Sequence, residues 1–345
     1  MEQVVIVGAG PCGLSAAIEL KKKGFDPLVI EKGSIVHSIY NYPTYMIFHS
    51  TPELLEIGGM PFVTPNEKPT RLEALTYYRT VASRYQLRIR CYEKVTRVEP
   101  AGGAFRLTAE NRFGERIAYD ASRVVIATGY FDTPNRLGVP GENLPKVFSY
   151  YKEAHPYAGM KVAIVGGNNS AVDAALDLQR AGAEVTVIYR RAELSSRVKA
   201  WTRPLFESMV NKGRIRMMYR SHVKEIREHD IAVENSEGQR LTLPNDFVFA
   251  LIGYRPDRTL LESLGVGFDA ESGVPTYDAA TMETNVPGVY LAGVIAAGND
   301  ANSIFIETGR FHGERIAADI AAKCGEGNRP ANRTAGAPVG EGPRT

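Results

Sequence analysis

The sequence has few cysteines and no excess of either charge. Its 345 residues include only Cys12, Cys91 and Cys324, too few and too widely separated for a disulfide framework or a thiolate zinc site. No two of them form a CxxC pair, which excludes a redox dithiol of neighbouring cysteines. The 41 Lys and Arg residues nearly balance the 39 Asp and Glu residues. Because polyanion binding needs clustered basic charge, neither a nucleic acid nor an anionic membrane surface is expected as a partner.

Long hydrophobic runs and targeting signals are also missing from the sequence. No apolar stretch approaches the roughly 18 residues of a membrane span, and Met1-Glu2-Gln3 provides no basic segment of a signal peptide. We therefore expect a cytoplasmic protein without a metal site. The 44% of hydrophobic residues is typical of a globular protein, and at roughly 150 residues per domain the length predicts about two domains.

The start of the chain predicts a dinucleotide-binding unit. The apolar run Val4–Val7 indicates a buried strand, glycines follow, and a helical pattern then leads to a second apolar run that ends at Glu31. Glycines in such a turn allow a tight bend and close approach of a pyrophosphate, and an acid at position 31 suits ribose hydroxyls. A purely structural glycine turn is the alternative. The predicted cofactor-binding residues here are Gly8, Gly10, Pro11, Cys12, Gly13, Glu31 and Lys32.

A second unit of the same kind begins at Met160. Residues 161–165 predict a buried strand, 172–180 a helix and 184–189 the next strand. The predicted nucleotide-binding residues of the intervening turn are Gly167, Asn168, Asn169, Ser170 and Ala171.

Arginines replace the acid at the end of this second unit. Arg190, Arg191 and Arg197 follow the strand, where guanidinium groups suit a 2′-phosphate. This favours NADP over NAD, with solvated surface arginines as the alternative. One unit that ends in Glu and another that ends in arginines predict two nucleotides, FAD and NADPH.

Three further segments complete the pattern. Residues 124–129 predict a strand that runs into Thr128 and Gly129, and the proline- and glycine-rich stretch that follows indicates a crossing between domains. Residues 288–293 predict a short strand that ends at Gly293. Residues 305–323 predict a helix whose N-terminus, near Ile306, would point at a flavin. The fold class is α/β, with two Rossmann-like dinucleotide-binding domains in three layers.

Together these motifs resemble the flavoprotein disulfide reductases, most closely the low-molecular-weight thioredoxin reductases. The resemblance implies a discontinuous FAD domain of residues 1–131 and 257–325, an NADPH domain of residues 132–256, and a homodimer; we expect residues 326–345 to be a disordered tail. Gly293 resembles the glycine of the C-terminal flavin motif. The Asp that usually follows is Val294 here, and Asp300 or Asn302 are candidates to replace it.

The CxxC of thioredoxin reductases is absent from the predicted NADPH domain. Residues 10–15 and 291–302 instead resemble the YpdA-type bacillithiol disulfide reductases. This resemblance implies NADPH-dependent, FAD-mediated reduction of the disulfide of a low-molecular-weight thiol, with Cys12 as the catalytic thiol. The substrate that it favours is bacillithiol disulfide.

The residues alone leave the role of Cys12 open. A helix N-terminus lowers a thiol pKa, whereas flavin phosphates would oppose that effect, and Cys12 is alternatively just a small residue in a crowded turn. Cys91 and Cys324 are predicted to be inert. His155 and His312 are candidate proton donors, with a solvated or core histidine as the alternative for each.

Other functions also remain open. A flavin monooxygenase usually has FxGxxxH before the second glycine turn, but residues 148–155 lack that glycine and contain one residue too many. A ferredoxin– or flavodoxin–NADP reductase without CxxC and a non-enzymatic NADPH sensor are the remaining alternatives.

Overall fold

A computed structural model describes residues 1–301 and 303–325. The predicted tail of residues 326–345 and the candidate Asn302 lie outside the described residues. The strands are β1 (Val5–Val7), β2 (Leu28–Glu31), β3 (Arg88–Cys91), β4 (Glu93–Ala101), β5 (Ala104–Asn111), β6 (Arg116–Ala121), β7 (Val124–Ile126), β8 (Val147–Phe148), β9 (Lys161–Val165), β10 (Glu184–Ile188), β11 (Ile215–Met218), β12 (Ser221–Ile226), β13 (Asp230–Asn235), β14 (Arg240–Pro244), β15 (Phe247–Ala250) and β16 (Val289–Leu291). The helices are α1 (Pro11–Lys22), α2 (His37–Tyr40), α3 (Pro52–Leu55), α4 (Arg71–Arg84), α5 (Asn169–Arg180), α6 (Arg203–Asn211), α7 (Thr259–Ser263), α8 (Ile306–Gly309) and α9 (His312–Cys324).

The first parallel sheet has the strand order β16-β7-β1-β2-β3. Its central strands are buried along their whole length, as expected for continuous apolar runs that are covered on both faces. Helix α1 connects β1 to β2 and packs against both strands, and α9 packs against α1. The predicted strand-helix-strand unit at the start of the chain is confirmed.

The second parallel sheet has the order β11-β10-β9-β15-β8. Strand β9 pairs in parallel with both β10 and β15, and α5 crosses from β9 to β10 and contacts both. The second predicted unit is therefore also confirmed.

Two antiparallel sheets of three strands each supply the remaining layers, β4-β5-β6 and β12-β13-β14. Strand β4 contacts β2 of the first parallel sheet, and β12 contacts β10 of the second. This helix, parallel-sheet and antiparallel-sheet arrangement is the predicted α/β fold with two Rossmann-like units.

The apolar cores follow the two parallel sheets. One core joins residues from both ends of the chain, for example Ile6 and Val125 with Tyr290 and Ile316, and two smaller cores join residues between 137 and 251. Among the described residues, no helix is both long and apolar enough to span a bilayer.

The prediction of one helix over residues 305–323 was wrong, because the helix is broken at Arg310 and Phe311. The Ser15 hydroxyl donates a hydrogen bond of 2.6 Å to the Arg310 carbonyl, and the preceding Gly309 is a weak helix former. A contact with α1, distant in sequence, therefore ends α8 after a single turn.

Candidate active site

The first glycine turn joins β1 to α1, and each of its glycines is required for a different physical reason. Gly8 has φ of +110°, and a Cβ there would lie 2.4 Å from the Ala127 carbonyl oxygen. A Cβ on Gly13 would lie 2.1 Å from the Gly8 carbonyl oxygen, so strand and helix approach too closely for any side chain. A Cβ on Gly10, in contrast, would meet no protein atom within 4 Å. The turn is thus crowded on one side and open at Gly10, as a pyrophosphate site requires.

The N-terminus of α1 faces this open side. Gly10 is the N-cap and provides no capping side chain, and Pro11 is the first helical residue. The amides of the first turn therefore have no side-chain acceptor from the cap, which makes the turn suitable for an anion.

Glu31 lies at the carboxyl end of β2, beside the turn. Its two carboxylate oxygens accept hydrogen bonds of 2.8 Å from the amides of Ala9 and Gly33. Burial raises the pKa of Glu31, and these two hydrogen bonds oppose that shift. Lys32 next to it forms an ion pair of 2.6 Å with Asp132. The glutamate is thus held in a fixed position where a carboxylate can accept hydrogen bonds from a ribose.

Thr128 and Gly129 follow β7 at the same edge of the sheet. The Thr128 hydroxyl is buried and has no hydrogen-bond partner within the described residues. Gly129 has φ of +70°, and a Cβ there would meet nothing within 4 Å. An unpartnered buried hydroxyl normally has a ligand or water as its partner. Together with the opening at Gly10, it makes these residues compatible with a bound dinucleotide.

Cys12 is enclosed by two glycines from the C-terminal part of the chain. A Cβ on Gly293 would lie 2.9 Å from Cys12 Sγ, and a Cβ on Gly309 would lie 2.8 Å from the same atom. Part of the Cys12 surface stays accessible, yet burial raises the pKa of its thiol to about 12. The depression of the pKa expected from the helix N-terminus alone is therefore outweighed by burial.

The loop after β16 is held by a histidine. The Gly293 amide donates a hydrogen bond of 3.1 Å to His312 Nδ1, and burial together with Arg315 lowers the pKa of His312 to about 4. His312 is thus a buried core residue that acts as an acceptor. Val294, where the usual flavin-motif Asp is missing, begins a short 3-10 helix. Ile306 lies in the single turn of α8.

The second glycine turn joins β9 to α5. Gly166 has φ of +148°, and a Cβ on Gly167 would lie 2.5 Å from the Tyr189 ring. Asn168 caps α5 by accepting a hydrogen bond of 3.0 Å from the Asn169 amide. Ser170 and the buried Ala171 follow in the first turn of the helix.

The loop that contains Arg190, Arg191 and Arg197 lies against this second turn. Asn169 Nδ2 donates to the Arg197 carbonyl at 3.0 Å, and Asn169 Oδ1 accepts from the Lys199 amide at 3.1 Å. Arg190 and Arg191 are exposed directly after β10. Arg197 Nη1 lies 3.8 Å from Asp300, one of the candidates to replace the flavin-motif acid. The structure therefore brings the loop that contains Arg197 to the turn predicted to bind the nucleotide.

Sequence patterns did not single out Gly309 or Trp201. Gly309 is far from Cys12 in the sequence, and only the folded chain brings the two residues into contact. In the sequence, Gly309 is merely a glycine inside a helical pattern. Trp201 lies in the loop before α6, next to His49 and Lys68 from the N-terminal part of the chain.

A family model described as pyridine nucleotide-disulphide oxidoreductase matches residues 5–293 of this chain. The chain belongs to this family. Its members are oxidoreductases that use a flavin and a nicotinamide nucleotide. The predicted class of enzyme is thereby confirmed.

Proteins of similar sequence match most of the chain. The sequence is 51% identical over 325 residues to the bacilliredoxin reductase Bdr of Bacillus subtilis, covering 93% of this chain and 98% of that protein. It is 31% identical over 301 residues to a ferredoxin–NADP reductase of Ignicoccus hospitalis, covering 86% of this chain and 90% of that protein.

Solved structures show the same fold. The bacillithiol disulfide reductase Bdr (YpdA) from Bacillus cereus matches with a TM-score of 0.91 and 52% identity, over 93% of this chain and 99% of that one. A thioredoxin reductase from T. acidophilum, 23% identical, matches with a TM-score of 0.71 over 93% of this chain and 98% of that one. The predicted resemblance to YpdA-type reductases and the thioredoxin-reductase-like fold are confirmed.

Proposed function

We propose that this protein is an NADPH-dependent, FAD-containing reductase of a low-molecular-weight disulfide, with bacillithiol disulfide as its substrate. The observation that carries the proposal is the likeness to the Bdr proteins, which extends over nearly the full length of both chains. The absence of any CxxC supports it, because a thioredoxin reductase needs that dithiol.

The first glycine turn is proposed as the FAD site and the second as the NADPH site. For FAD the proposed contacts are Gly8, Gly10, Pro11, Cys12, Gly13, Glu31, Lys32, Thr128, Gly129, Gly293 and Ile306. For NADPH they are Gly167, Asn168, Asn169, Ser170, Ala171, Arg190, Arg191 and Arg197. The open side at Gly10 and the unpartnered Thr128 hydroxyl support the first set, and the loop held by Asn169 supports the second.

Cys12 is proposed to carry the thiol chemistry. A bound flavin supplies two electrons that come from the nicotinamide nucleotide. Cys12 would lose its proton as its sulfur attacks one sulfur of the substrate, form a mixed disulfide and release the first thiol, which takes up that proton. Two electrons and two protons then return Cys12 to the thiol and release the second thiol. NADPH supplies both electrons and one of the protons, so that NADPH, one proton and one disulfide give NADP⁺ and two thiols.

The proposed FAD domain comprises residues 1–131 and 257–325, and the proposed NADPH domain comprises residues 132–256. Separate apolar cores around the two parallel sheets support this division.

A cytoplasmic homodimer is proposed from the resemblance to thioredoxin reductases, and light scattering of the purified protein tests the dimer.

Anaerobic turnover tests the proposed activity. The holoenzyme is mixed with NADPH and bacillithiol disulfide, with NADPH and ferredoxin, or with NADPH alone, and NADPH consumption is followed. We expect rapid consumption only with the disulfide. Cys12→Ala should lose most of this turnover while NADPH still bleaches the flavin, whereas Cys91→Ala should behave as wild type. Normal disulfide turnover by Cys12→Ala would remove the catalytic assignment.

A protein disulfide is the second candidate substrate. The Bacillus subtilis relative is named a bacilliredoxin reductase, which favours a bacilliredoxin mixed disulfide as the electron acceptor. If NADPH is consumed only when an oxidised bacilliredoxin is added, the bacilliredoxin is the substrate and free bacillithiol disulfide is not.

The choice of nucleotide depends on Arg190 and Arg191. If their guanidinium groups bind a 2′-phosphate, Arg190→Ala and Arg191→Ala should each raise the KM for NADPH about tenfold and leave the KM for NADH unchanged. Equal use of both nucleotides before and after the substitutions would contradict this assignment.

A further inference from the structure

Trp201 is the only tryptophan of the chain, and its side chain is 65% exposed. It lies in the loop between β10 and α6. The His49 ring packs at 6.4 Å in an edge-on arrangement, and Lys68 Nζ lies 5.0 Å from the indole centroid. Large aromatic side chains that remain exposed beside charged groups are characteristic of binding surfaces.

The charge next to this indole is positive and partly uncompensated. Lys199 Nζ, 6.0 Å from the ring, pairs with Asp173 at 3.4 Å. Lys68 forms no ion pair with any carboxylate in residues 1–301 and 303–325. An ammonium group without a partner beside an exposed aromatic ring suits a ligand that combines a carboxylate with a flat or apolar face.

A series of contacts links this surface to the candidate active site. Ser50, which follows His49, donates a hydrogen bond to the Glu307 carboxylate in α8. Gly309 ends the same helical turn and packs on Cys12 Sγ. The links from the exposed indole to the candidate catalytic thiol are therefore the ring contact with His49, the peptide bond from His49 to Ser50, one side-chain hydrogen bond and the turn of α8.

We propose that Trp201 and Lys68 bind the non-reacting part of the disulfide substrate, with Lys68 on a carboxylate and Trp201 against a sugar ring or other flat face. This inference rests on the proposed function and adds the residues that would select an anionic disulfide over a neutral one. A phosphate of the pyridine nucleotide is the rival ligand for Lys68, because Trp201 belongs to the loop that packs on the second glycine turn.

Trp201 provides its own readout, because no other tryptophan contributes to the fluorescence. The oxidised holoenzyme is titrated, without NADPH, with bacillithiol disulfide, with the neutral 2-hydroxyethyl disulfide, or with NADP⁺. We expect a saturable change in indole emission with bacillithiol disulfide at concentrations where the neutral disulfide gives none. Lys68→Gln should raise the Kd for bacillithiol disulfide about fivefold, as for a partly exposed ion pair, and leave the Kd for NADP⁺ unchanged. Lys23→Gln, which removes the same charge at the far end of α1, is the matched control.

Steady-state kinetics provide the second readout. Trp201→Ala should raise the KM for bacillithiol disulfide about tenfold with kcat within about twofold, and Trp201→Phe should restore most of the affinity. An unchanged Kd and KM in Lys68→Gln would overturn the inference, as would a raised Kd for NADP⁺ instead of the disulfide. If the wild type binds bacillithiol disulfide in this Lys68-dependent way but does not reduce it, the proposed function fails and the binding site stands. If the wild type reduces it with no effect of either substitution, the site fails and the function stands.

Discussion

Cys12 Sγ and Gly309 are in such close contact that no side chain fits at position 309. A Cβ there would lie 2.8 Å from the sulfur and 3.1 Å from Gly293 Cα. We therefore expect Gly309→Ala to destabilise the holoenzyme by about 2 kcal/mol through overpacking, which corresponds to a fall of about 3 °C in Tm.

A double-mutant cycle can separate the energetic cost of the contact between position 309 and the Cys12 sulfur from the cost of its contact with the Gly293 backbone. In a Cys12→Ala background the cost of Gly309→Ala should fall by about 1 kcal/mol, because the nearest atom is gone. In a Cys91→Ala background it should stay unchanged. Equal costs in all three backgrounds would mean that Cys12 does not pack against position 309 in solution.

The reactivity of Cys12 with an alkylating agent is the second prediction. Burial raises the pKa of this thiol to about 12, so the thiolate fraction grows about tenfold per pH unit over the whole accessible range. The rate of iodoacetamide modification at Cys12, followed by peptide mass spectrometry, should therefore rise with pH without a plateau up to pH about 9. A plateau between pH about 6 and 8 would indicate a thiol activated by the helix N-terminus, and Cys12→Ser provides the background from the other cysteines.

The glycine turn was predictable from sequence because its chemistry is local. Gly8, Gly10, Gly13 and Glu31 belong to one strand-helix-strand unit, and their spacing alone determines where they lie. The pKa of Cys12 was not predictable, because its direction depends on burial by Gly293 and Gly309, which only the complete fold brings to the turn.

The break between α8 and α9 was missed for the same reason. The Ser15 hydroxyl donates a hydrogen bond to the Arg310 carbonyl. Hydrophobic periodicity contains no signal for a hydrogen-bond partner so distant in the chain. Trp201 was likewise overlooked, since a lone exposed aromatic residue in a loop matches no motif.

Thr128 provides the third prediction, a test of flavin binding independent of turnover. Its buried hydroxyl has no partner among the described residues, so the nearly isosteric Thr128→Val should leave the Tm of the apoprotein unchanged or slightly higher. The Kd for FAD, measured by fluorescence titration of the apoprotein, should rise about tenfold, because a hydrogen bond to the ligand is lost. Thr133→Val is the control in the segment that follows β7. A lower apoprotein Tm with unchanged FAD affinity would indicate that the hydroxyl has a structural role.

His312 makes the stability of the protein depend on pH in a defined direction. Burial and Arg315 lower the pKa of His312 from 6.5 to about 4. Between these values the unfolded chain binds a proton that the folded chain does not, so stability falls as the pH falls. The loss from this residue should reach about 2 kcal/mol by pH 5.

The substitution that tests this is His312→Asn, which keeps an acceptor at the δ position for the Gly293 amide but does not titrate. Its unfolding free energy, measured in urea between pH 5 and 8, should lose about 2 kcal/mol less than wild type on acidification. The exposed His155, changed to Asn, gives the effect of removing a surface histidine. Parallel pH curves for wild type and His312→Asn would mean that His312 is as free to bind a proton in the folded protein as in the unfolded chain. In that case its imidazole could not be the fixed acceptor that holds the Gly293 turn against Cys12.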